Sequence, residues 1–546
     1  MKIKKILNTL SIAAVALVAT ACQDTDAQYE IPVVGAPEYV SITPANGALV
    51  YGEKTITVTF DKNINFMTKN TSQITLNGAP VKKAVVLGAS NTLTITVDVD
   101  FNKSQTLVIP AGLITGPQGD PYNQEISMTW TINDLPSNSA TEITKKLGWG
   151  WNLGNHFDTS NMEWGYWDGV STVDAALFTK LAATGCKTVR IPTTWTAHIT
   201  EGTGTSDEKP LEWKDAGYLD EVAGVVDKAI AAGLNVILNT HHDSFETDLA
   251  NAAGNPVAAK ADSTLIAQLW SAIATRFKDY SVDKLYFETF NEVHGGDDWT
   301  TGSDSQFAML NNWNQYALDA IRKTGGNNAS RWIGVSGYAA NIEKTVNYLE
   351  LPKALDSEAT DDHVMVAVHS YDPGGFCQSP YDAKADSLKV YTWGHHANSY
   401  SVSGANEDYI MNLLYQLRTK YIEQGVPCYL GEYGCVYVDP ANVKSQTASK
   451  AYKQFNAFRK YYFEYFCRSA YLAGIPIMIW DNNVTDNSQK TGDSGPYISE
   501  CFGLVDHATG DFIADGSEVV PLMIKAATAD TYDSFEAIWA KSPTAE

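Results

Sequence analysis

An alternation that repeats eight times, from about residue 142 to the end of the chain, most constrains what this sequence can fold into. Short apolar runs of strand length are followed, time after time, by stretches with helical periodicity. The runs fall at 148–153, 188–191, 235–239, 285–289, 331–335, 365–368, 427–431 and 476–480. In the stretch from Leu219 to Ile230, apolar residues recur at intervals of three and four, as on one face of a helix. Parallel strands need crossover connections, usually helical, and this segment supplies one after nearly every strand. Eight such units over about 400 residues predict a closed (β/α)8 barrel with insertions, spanning residues 142–546.

Residues 38–133 have period two instead. Thr55-Ile56-Thr57-Val58-Thr59-Phe60, Leu93-Thr94-Ile95-Thr96-Val97 and Ile126-Ser127-Met128-Thr129-Trp130-Thr131-Ile132 alternate polar and apolar, with turn signals such as Asn77-Gly78 between runs. Several short strands at this spacing predict a small all-β sandwich. The opening Ser41-Ile42-Thr43-Pro44-Ala45-Asn46-Gly47 and the later Val58-Thr59-Phe60-Asp61 resemble bacterial immunoglobulin-like modules, and a spacer role is expected. Residues 134–141, with Pro136 and three polar neighbours, read as a linker.

The first 22 residues read as an address. Lys2, Lys4 and Lys5 precede an apolar stretch that ends Val18-Ala19-Thr20-Ala21-Cys22. Small residues before a Cys resemble a bacterial lipoprotein processing site, so 1–21 would be a signal peptide and Cys22 the lipidated residue. Residues 22–37 would then be a tether. A lipid on Cys22 implies attachment to a bacterial outer membrane, and the acidic Gln23-Asp24-Thr25-Asp26 points to display at the cell surface. The other six cysteines, Cys186, Cys377, Cys428, Cys435, Cys467 and Cys501, form no C-x-x-C pair, and small buried hydrophobes and disulfides both remain open for them.

Lys and Arg total 39 against 63 Asp and Glu, a formal charge of −24. That balance argues against nucleic acid as a partner, because phosphate binding needs clustered cations. With 14 Trp and 28 Tyr, the chain is suited to a neutral ligand with stackable faces and many hydroxyls, although cores use most aromatics.

A barrel of this kind builds its active site at the carboxyl ends of its strands. There this chain places Asn155, Arg190, His241-His242-Asp243, Asn291-Glu292, His369-Ser370-Tyr371, Glu432-Tyr433 and Trp480-Asp481. Glu292 and Glu432 follow the fourth and seventh runs. Glycoside hydrolysis needs such a carboxyl pair, one to protonate the leaving oxygen and one to attack the anomeric carbon or activate water. Asn291 would hold a sugar hydroxyl, Arg190 and Tyr371 would keep Glu432 ionised, and Trp480 would offer a flat surface to a pyranose. His241-His242-Asp243 lack a further ligand at zinc spacing, so no metal and no cofactor is expected. His242 alone suits a structural role. His198 suits a substrate contact or a cap equally, and among Trp164, Trp167, Trp195, Trp299 and Trp393 one or two would stack on sugar.

In chain order, Trp149-Gly150-Trp151-Asn152-Leu153-Gly154-Asn155, Val189-Arg190-Ile191-Pro192, Asn239-Thr240-His241-His242-Asp243, Phe287-Glu288-Thr289-Phe290-Asn291-Glu292, Val368-His369-Ser370-Tyr371, Gly431-Glu432-Tyr433-Gly434 and Ile479-Trp480-Asp481 resemble glycoside hydrolase family 5, a cellulase family of retaining enzymes. The resemblance implies Glu292 as general acid/base and Glu432 as nucleophile. It also implies that Arg190, His241, Asn291, His369, Tyr371 and Trp480 occupy active-site positions; Asn155, Trp195, His198 and His242 are the further supporting candidates. The opening motif and the run from Arg190 to Ile199 are most similar to endo-β-1,4-glucanases and xyloglucanases. Cellulose, mixed-linkage β-glucan or xyloglucan would be the substrate, and the protein is expected to be a monomer. Met162-Glu163-Trp164-Gly165-Tyr166-Trp167-Asp168 departs from the usual loop after the first strand. That departure bears on substrate preference, and β-mannan and a non-catalytic glycan-binding role are the rivals.

Overall fold

The computed structural model describes residues 33–43, 52–99, 104–130, 135–159, 166–382, 387–439, 446–485, 501–533 and 535–545. The expected signal peptide, Cys22, the tether up to residue 32, and Trp164 lie outside the described residues. The chain divides into two compact units, the first ending at Trp130.

The first unit pairs two antiparallel sheets, as its period-two pattern predicts. One orders the strands Tyr39–Thr43, Gly52–Phe60, Thr92–Val99 and Lys83–Val85; the other orders Ile126–Trp130, Gln105–Ile109, Thr75–Leu76 and Ala79–Pro80. Ile56, Val58, Phe60, Leu93, Ile95, Val97, Leu107, Ile109 and Trp130 fill the core between them. Asn77 (φ 51°) and Gly78 (φ 80°) make the tight turn between Leu76 and Ala79, where both residues need the left-handed region.

The second unit is a closed, all-parallel barrel of eight strands: β1 Trp149–Asn152, β2 Thr188–Ile191, β3 Asn235–Asn239, β4 Leu285–Glu288, β5 Ile333–Asn341, β6 Val364–Ser370, β7 Cys428–Tyr433 and β8 Ile477–Ile479. One principal helix follows each strand: α1 Ala175–Thr184, α2 Tyr218–Ala231, α3 Pro256–Phe277, α4 Asp304–Lys323, α5 Ile342–Tyr348, α6 Glu407–Lys420, α7 Gln446–Ala473 and α8 Gly516–Thr528. Local chemistry sets their ends. The Asp174 side chain accepts from the Ala176 N–H to start α1, and Gly185 stops it in the left-handed region.

Alternation along each strand sorts residues into two layers. Trp149, Trp151, Val189, Ile191, Val236, Leu238, Leu285, Phe287, Val366 and Val368 face the helices in the main core. Ile237, Tyr286, Met365, Ala367, Tyr429 and Met478 pack together as a second cluster in the lumen. Two glycines make room there. A Cβ on Gly150 would overlap Met478 Sδ, and one on Gly334 would overlap the Tyr429 hydroxyl. The lumen is therefore a packed floor, and the site lies above it.

Three strands run further than their apolar runs suggest. β5 continues to Asn341, β6 to Ser370 and β7 to Tyr433, so His369 and Glu432 stand within the sheet rather than after it. Pairing with neighbours continues through polar residues because every backbone group here is buried and must be bonded. All six cysteines from Cys186 to Cys501 are buried and free, which settles the open choice in favour of small core residues. Among the described residues no helix is long and apolar enough to cross a membrane.

Candidate active site

Arg190 organises the barrel mouth. It projects inward from β2, fully buried, and its donors reach Glu432, Asn152, Asn291 and Glu288, with His369 Nε2 3.5 Å from Nη2. Nη1 donates to Glu432 Oε1 (2.7 Å) and Asn152 Oδ1 (3.0 Å), while Nη2 donates to Asn291 Oδ1 (2.8 Å) and Glu288 Oε1 (2.6 Å). Glu288, at the end of β4, also accepts from Asn239 Nδ2 (2.9 Å) and the Tyr429 hydroxyl (2.7 Å). A buried guanidinium is tolerable only with such pairing, and the carboxylates on it keep it charged.

Glu432 is held from two sides. Besides Arg190, the Tyr371 hydroxyl donates to Oε2 at 2.8 Å, and His369 Nδ1 lies 3.8 Å from the same oxygen. Burial favours the neutral acid, but His369, Arg190 and Tyr371 together hold the Glu432 carboxyl below its ordinary 4.5, so it is a carboxylate at neutral pH. Burial beside Glu432 and Glu292 keeps the Tyr371 hydroxyl protonated, as its donor role requires.

Glu292 lies beyond the end of β4 and is 19% exposed. Its Oε1 is 2.7 Å from His369 Nδ1. One carboxylate oxygen of Glu292, one of Glu432 and a His369 nitrogen all lie within 4.8 Å of one another. Burial works against a charged His369, yet the two carboxylates raise its pKa above the ordinary 6.5. Beside Glu292 opens a cleft of about 380 Å³ lined by Trp299, Asn341, Tyr371 and Gln378 among others.

His241 Nε2 is 4.0 Å from Glu432 Oε1, and its ring lies parallel to Trp480 at 5.9 Å. Burial, with the His242, Arg190 and His369 charges nearby, holds its pKa well below 6.5, so His241 is neutral. Gly154 lets the half-buried Trp480 lie where it does. A Cβ there would come within 2.9 Å of the indole and 2.6 Å of the Asp481 carbonyl. His242, beside His241 at a ring distance of 4.4 Å, bonds Glu246 Oε2 through Nδ1 (2.8 Å). Burial opposes a charge on it, but Glu246 raises its pKa to about 9.

Glu292, Glu432, Arg190, His241, Asn291, His369 and Tyr371 thus converge, with Trp480 flanking them. Two expected positions do not join them. Trp195 is 0% exposed, donates to the Asn239 carbonyl and packs edge-on against Tyr218, so it is a core residue. His198 is buried flat against Tyr218 at 3.5 Å. Asn155 takes a left-handed turn (φ 58°), where its carbonyl accepts from the Asp168 N–H. Trp393 is likewise buried, whereas Trp167 and Trp299 are exposed.

Glu288, Asn152, Tyr429 and Glu246 went unread as site residues. Glu288 carried a usable signal: an acid within an apolar barrel strand must face a buried cation. Glu246 carried none, because it reaches Asn291 Nδ2 (3.3 Å) only through the folding of the loop after β3.

Residues 151–486 match the family described as Cellulase (glycosyl hydrolase family 5), and residues 33–132 match the bacterial Ig-like domain. Endoglucanase A of Clostridium longisporum is 34% identical over 386 residues, covering 68% of this chain; the chain spans 63% of that relative's length. A Bacteroidetes-affiliated GH5 cellulase linked with a polysaccharide utilization locus superposes with a TM-score of 0.62 at 32% identity, covering 74% of this chain and 98% of that one. A GH5-4 broad specificity endoglucanase from Bacteroides salanitronis gives 0.58 at 34% identity, covering 73% and 97%. With its carboxyl pair, its barrel and these matches, the chain belongs to glycosyl hydrolase family 5.

Proposed function

We propose that the protein is a retaining endo-β-1,4-glucanase that cuts cellulose, mixed-linkage β-glucan or xyloglucan internally by double displacement. The observation that carries this reading is the Glu292–Glu432 pair, with carboxyl oxygens within 4.8 Å of each other and a His369 nitrogen. Retaining enzymes hold their carboxyl groups ~5–5.5 Å apart, whereas inverting ones need ~6.5–9.5 Å to admit water.

In this reading Glu432 Oε attacks the anomeric carbon while Glu292 gives its proton to the departing glycosidic oxygen. The C–O bond of the linkage breaks and a glycosyl ester forms on Glu432. Glu292, now a carboxylate, takes a proton from water, and the resulting hydroxide attacks the same carbon and restores Glu432. Arg190 and Tyr371 orient Glu432 for attack and stabilise it as the leaving carboxylate in the second step. The cleft beside Glu292 would hold the departing end of the chain, with Trp299, 47% exposed, as a stacking surface. Broad tolerance among β-glucans is consistent with the Bacteroides salanitronis relative.

Glu292→Gln is expected to lower kcat on barley-type β-glucan by about 10²–10⁴-fold. The loss should shrink on an aryl β-cellobioside, whose phenol leaves without a proton. Glu432→Gln should abolish turnover on both. Reducing-sugar release and circular dichroism, run on xyloglucan, β-glucan, carboxymethylcellulose and mannan in parallel, test the assignment. Full activity in either folded variant would falsify it.

Attachment through a lipid on Cys22, at the outer face of an outer membrane, belongs to the same proposal. Metabolic labelling with a radioactive fatty acid should mark the wild type and leave Cys22→Ser unlabelled and released from the membrane fraction.

A further inference from the structure

We propose that Glu246 is a positioning residue which, with Arg190, locks the Asn291 amide so that it offers an N–H donor to the 2-hydroxyl of the sugar being cut. This rests on the glucanase reading, in which Asn291 meets that hydroxyl. Asn291 is 2% exposed and clamped at both ends of its amide. Arg190 Nη2 donates to Oδ1 at 2.8 Å, and Nδ2 donates to Glu246 Oε1 at 3.3 Å. A guanidinium only donates and a carboxylate only accepts. Turning the amide over would set nitrogen against nitrogen at Arg190 and oxygen against oxygen at Glu246, so one orientation is enforced. Glu246 takes one amide hydrogen, and the second has no partner among the described residues.

Glu246 is itself held in place. It is 4% exposed, in the loop after β3. Its N–H donates to the Asp243 carbonyl (2.8 Å), and its own carbonyl accepts from the His294 N–H (2.9 Å), beyond β4. Asp243 Oδ1 in turn accepts from the Trp195 and Thr196 N–H groups (2.8 and 2.6 Å), which ties the loop to the one after β2. His242, an imidazolium at neutral pH, donates from Nδ1 to Glu246 Oε2 at 2.8 Å. A buried carboxylate needs a paired cation, and His242 supplies it. That bond occupies one oxygen and leaves Oε1 for Asn291 and for the Glu292 N–H, 3.4 Å away.

The clamp gives the sugar contact a direction. Asn291 Oδ1 and Glu432 Oε1 accept from the two terminal nitrogens of one guanidinium, so the Asn291 amide stands beside Glu432. A 2-hydroxyl that accepts from Asn291 keeps its own proton for the Glu432 carboxylate. Contacts to this hydroxyl tighten as the anomeric carbon gains positive charge, so misplacing Asn291 lowers rate more than ground-state binding.

The test compares dinitrophenyl β-cellobioside with its analogue lacking the 2-hydroxyl on the glucose next to the phenol. The ratio kcat/KM reports the first displacement, and dinitrophenolate leaves without a proton, so the Glu292 acid drops out of the comparison. Glu246→Ala should lower kcat/KM on the cellobioside by about 10-fold or more and leave the 2-deoxy analogue within ~2-fold of the wild type. Glu246→Gln keeps the volume, should the alanine variant unfold. Its single oxygen goes to the His242 cation, which sets an amide nitrogen against Asn291, and the same substrate-dependent loss is expected. Unchanged kcat/KM on the cellobioside, or equal losses on both substrates, in a folded variant overturns the proposal. Glu432→Gln keeps the two readings apart. Turnover of the cellobioside by that variant refutes the glucanase reading; no turnover, together with equal losses in Glu246→Ala, refutes the positioning role alone.

Discussion

Arg190 is the side chain on which the site most depends. Four of its contacts run to buried polar groups, and it is the cation that balances two of them, the carboxylates of Glu288 and Glu432. Removing one partner of a buried ion pair leaves its charge uncompensated, so Arg190→Met should destabilise the barrel by about 3–5 kcal/mol, read from urea unfolding. It should also move the acid limb of kcat/KM. The Glu432 carboxyl is held below 4.5, a depressed value, so its ionised form is present above that range and is lost as pH falls through it. Without Arg190 that loss sets in at higher pH, measurable in Arg190→Lys if the methionine variant fails to fold. Arg190 and both glutamates were legible in the sequence as rim residues. Trp195 and His198 misled because their residue types suit sugar contact, while their burial against Tyr218 depends on how α2 packs.

At the scale of elements, the decisive feature is one extra residue in β7. Val368 pairs with Leu430 and His369 with Glu432, so Gly431 has no counterpart on β6, and the same slip recurs against β8. Along β7, Tyr429 faces the lumen and Leu430 the helices. Strict alternation would then turn Glu432 toward the helices. The bulge reverses the phase, so Glu432 meets Arg190 and Tyr433 packs outward against Phe466. Gly431 also lies close to the site: a Cβ there would stand 3.0 Å from His369 Nε2 and 3.3 Å from Arg190 Nε. Gly431→Ala should therefore displace both side chains by a few tenths of an ångström and lower kcat/KM about 10-fold or more, with an unchanged circular dichroism spectrum. Strand existence was readable from apolar runs. The bulge was not, because nothing in Leu430-Gly431-Glu432 announces which neighbour it skips.

On the scale of the whole molecule, the two ends of the barrel chain meet through a buried charge network. His507, after β8, bonds Asp168, after β1, at 3.0 Å, and its Nε2 lies 3.5 Å from Asp481 Oδ1. Trp151 from β1 bonds the other Asp481 oxygen at 2.8 Å. Burial disfavours charge on His507, but Asp168 and Asp481 raise its pKa to about 9. A raised histidine stabilises fully below the unfolded value near 6.5 and loses that contribution as pH climbs through about 9. Of order 3 kcal/mol should vanish across that window, and a thermal scan of His507→Asn should show a flatter dependence of Tm on pH than the wild type. Sequence by itself determined the barrel, the sandwich and the order of chemical groups around the rim, because hydrophobic period and strand–helix alternation are local properties. Only tertiary structure decided which rim residues converge, that Glu288 and Glu246 support them, and that His507 links the ends. Those relations join residues far apart along the chain, and burial, register and one bulge, none of them local, select among residues of the same type.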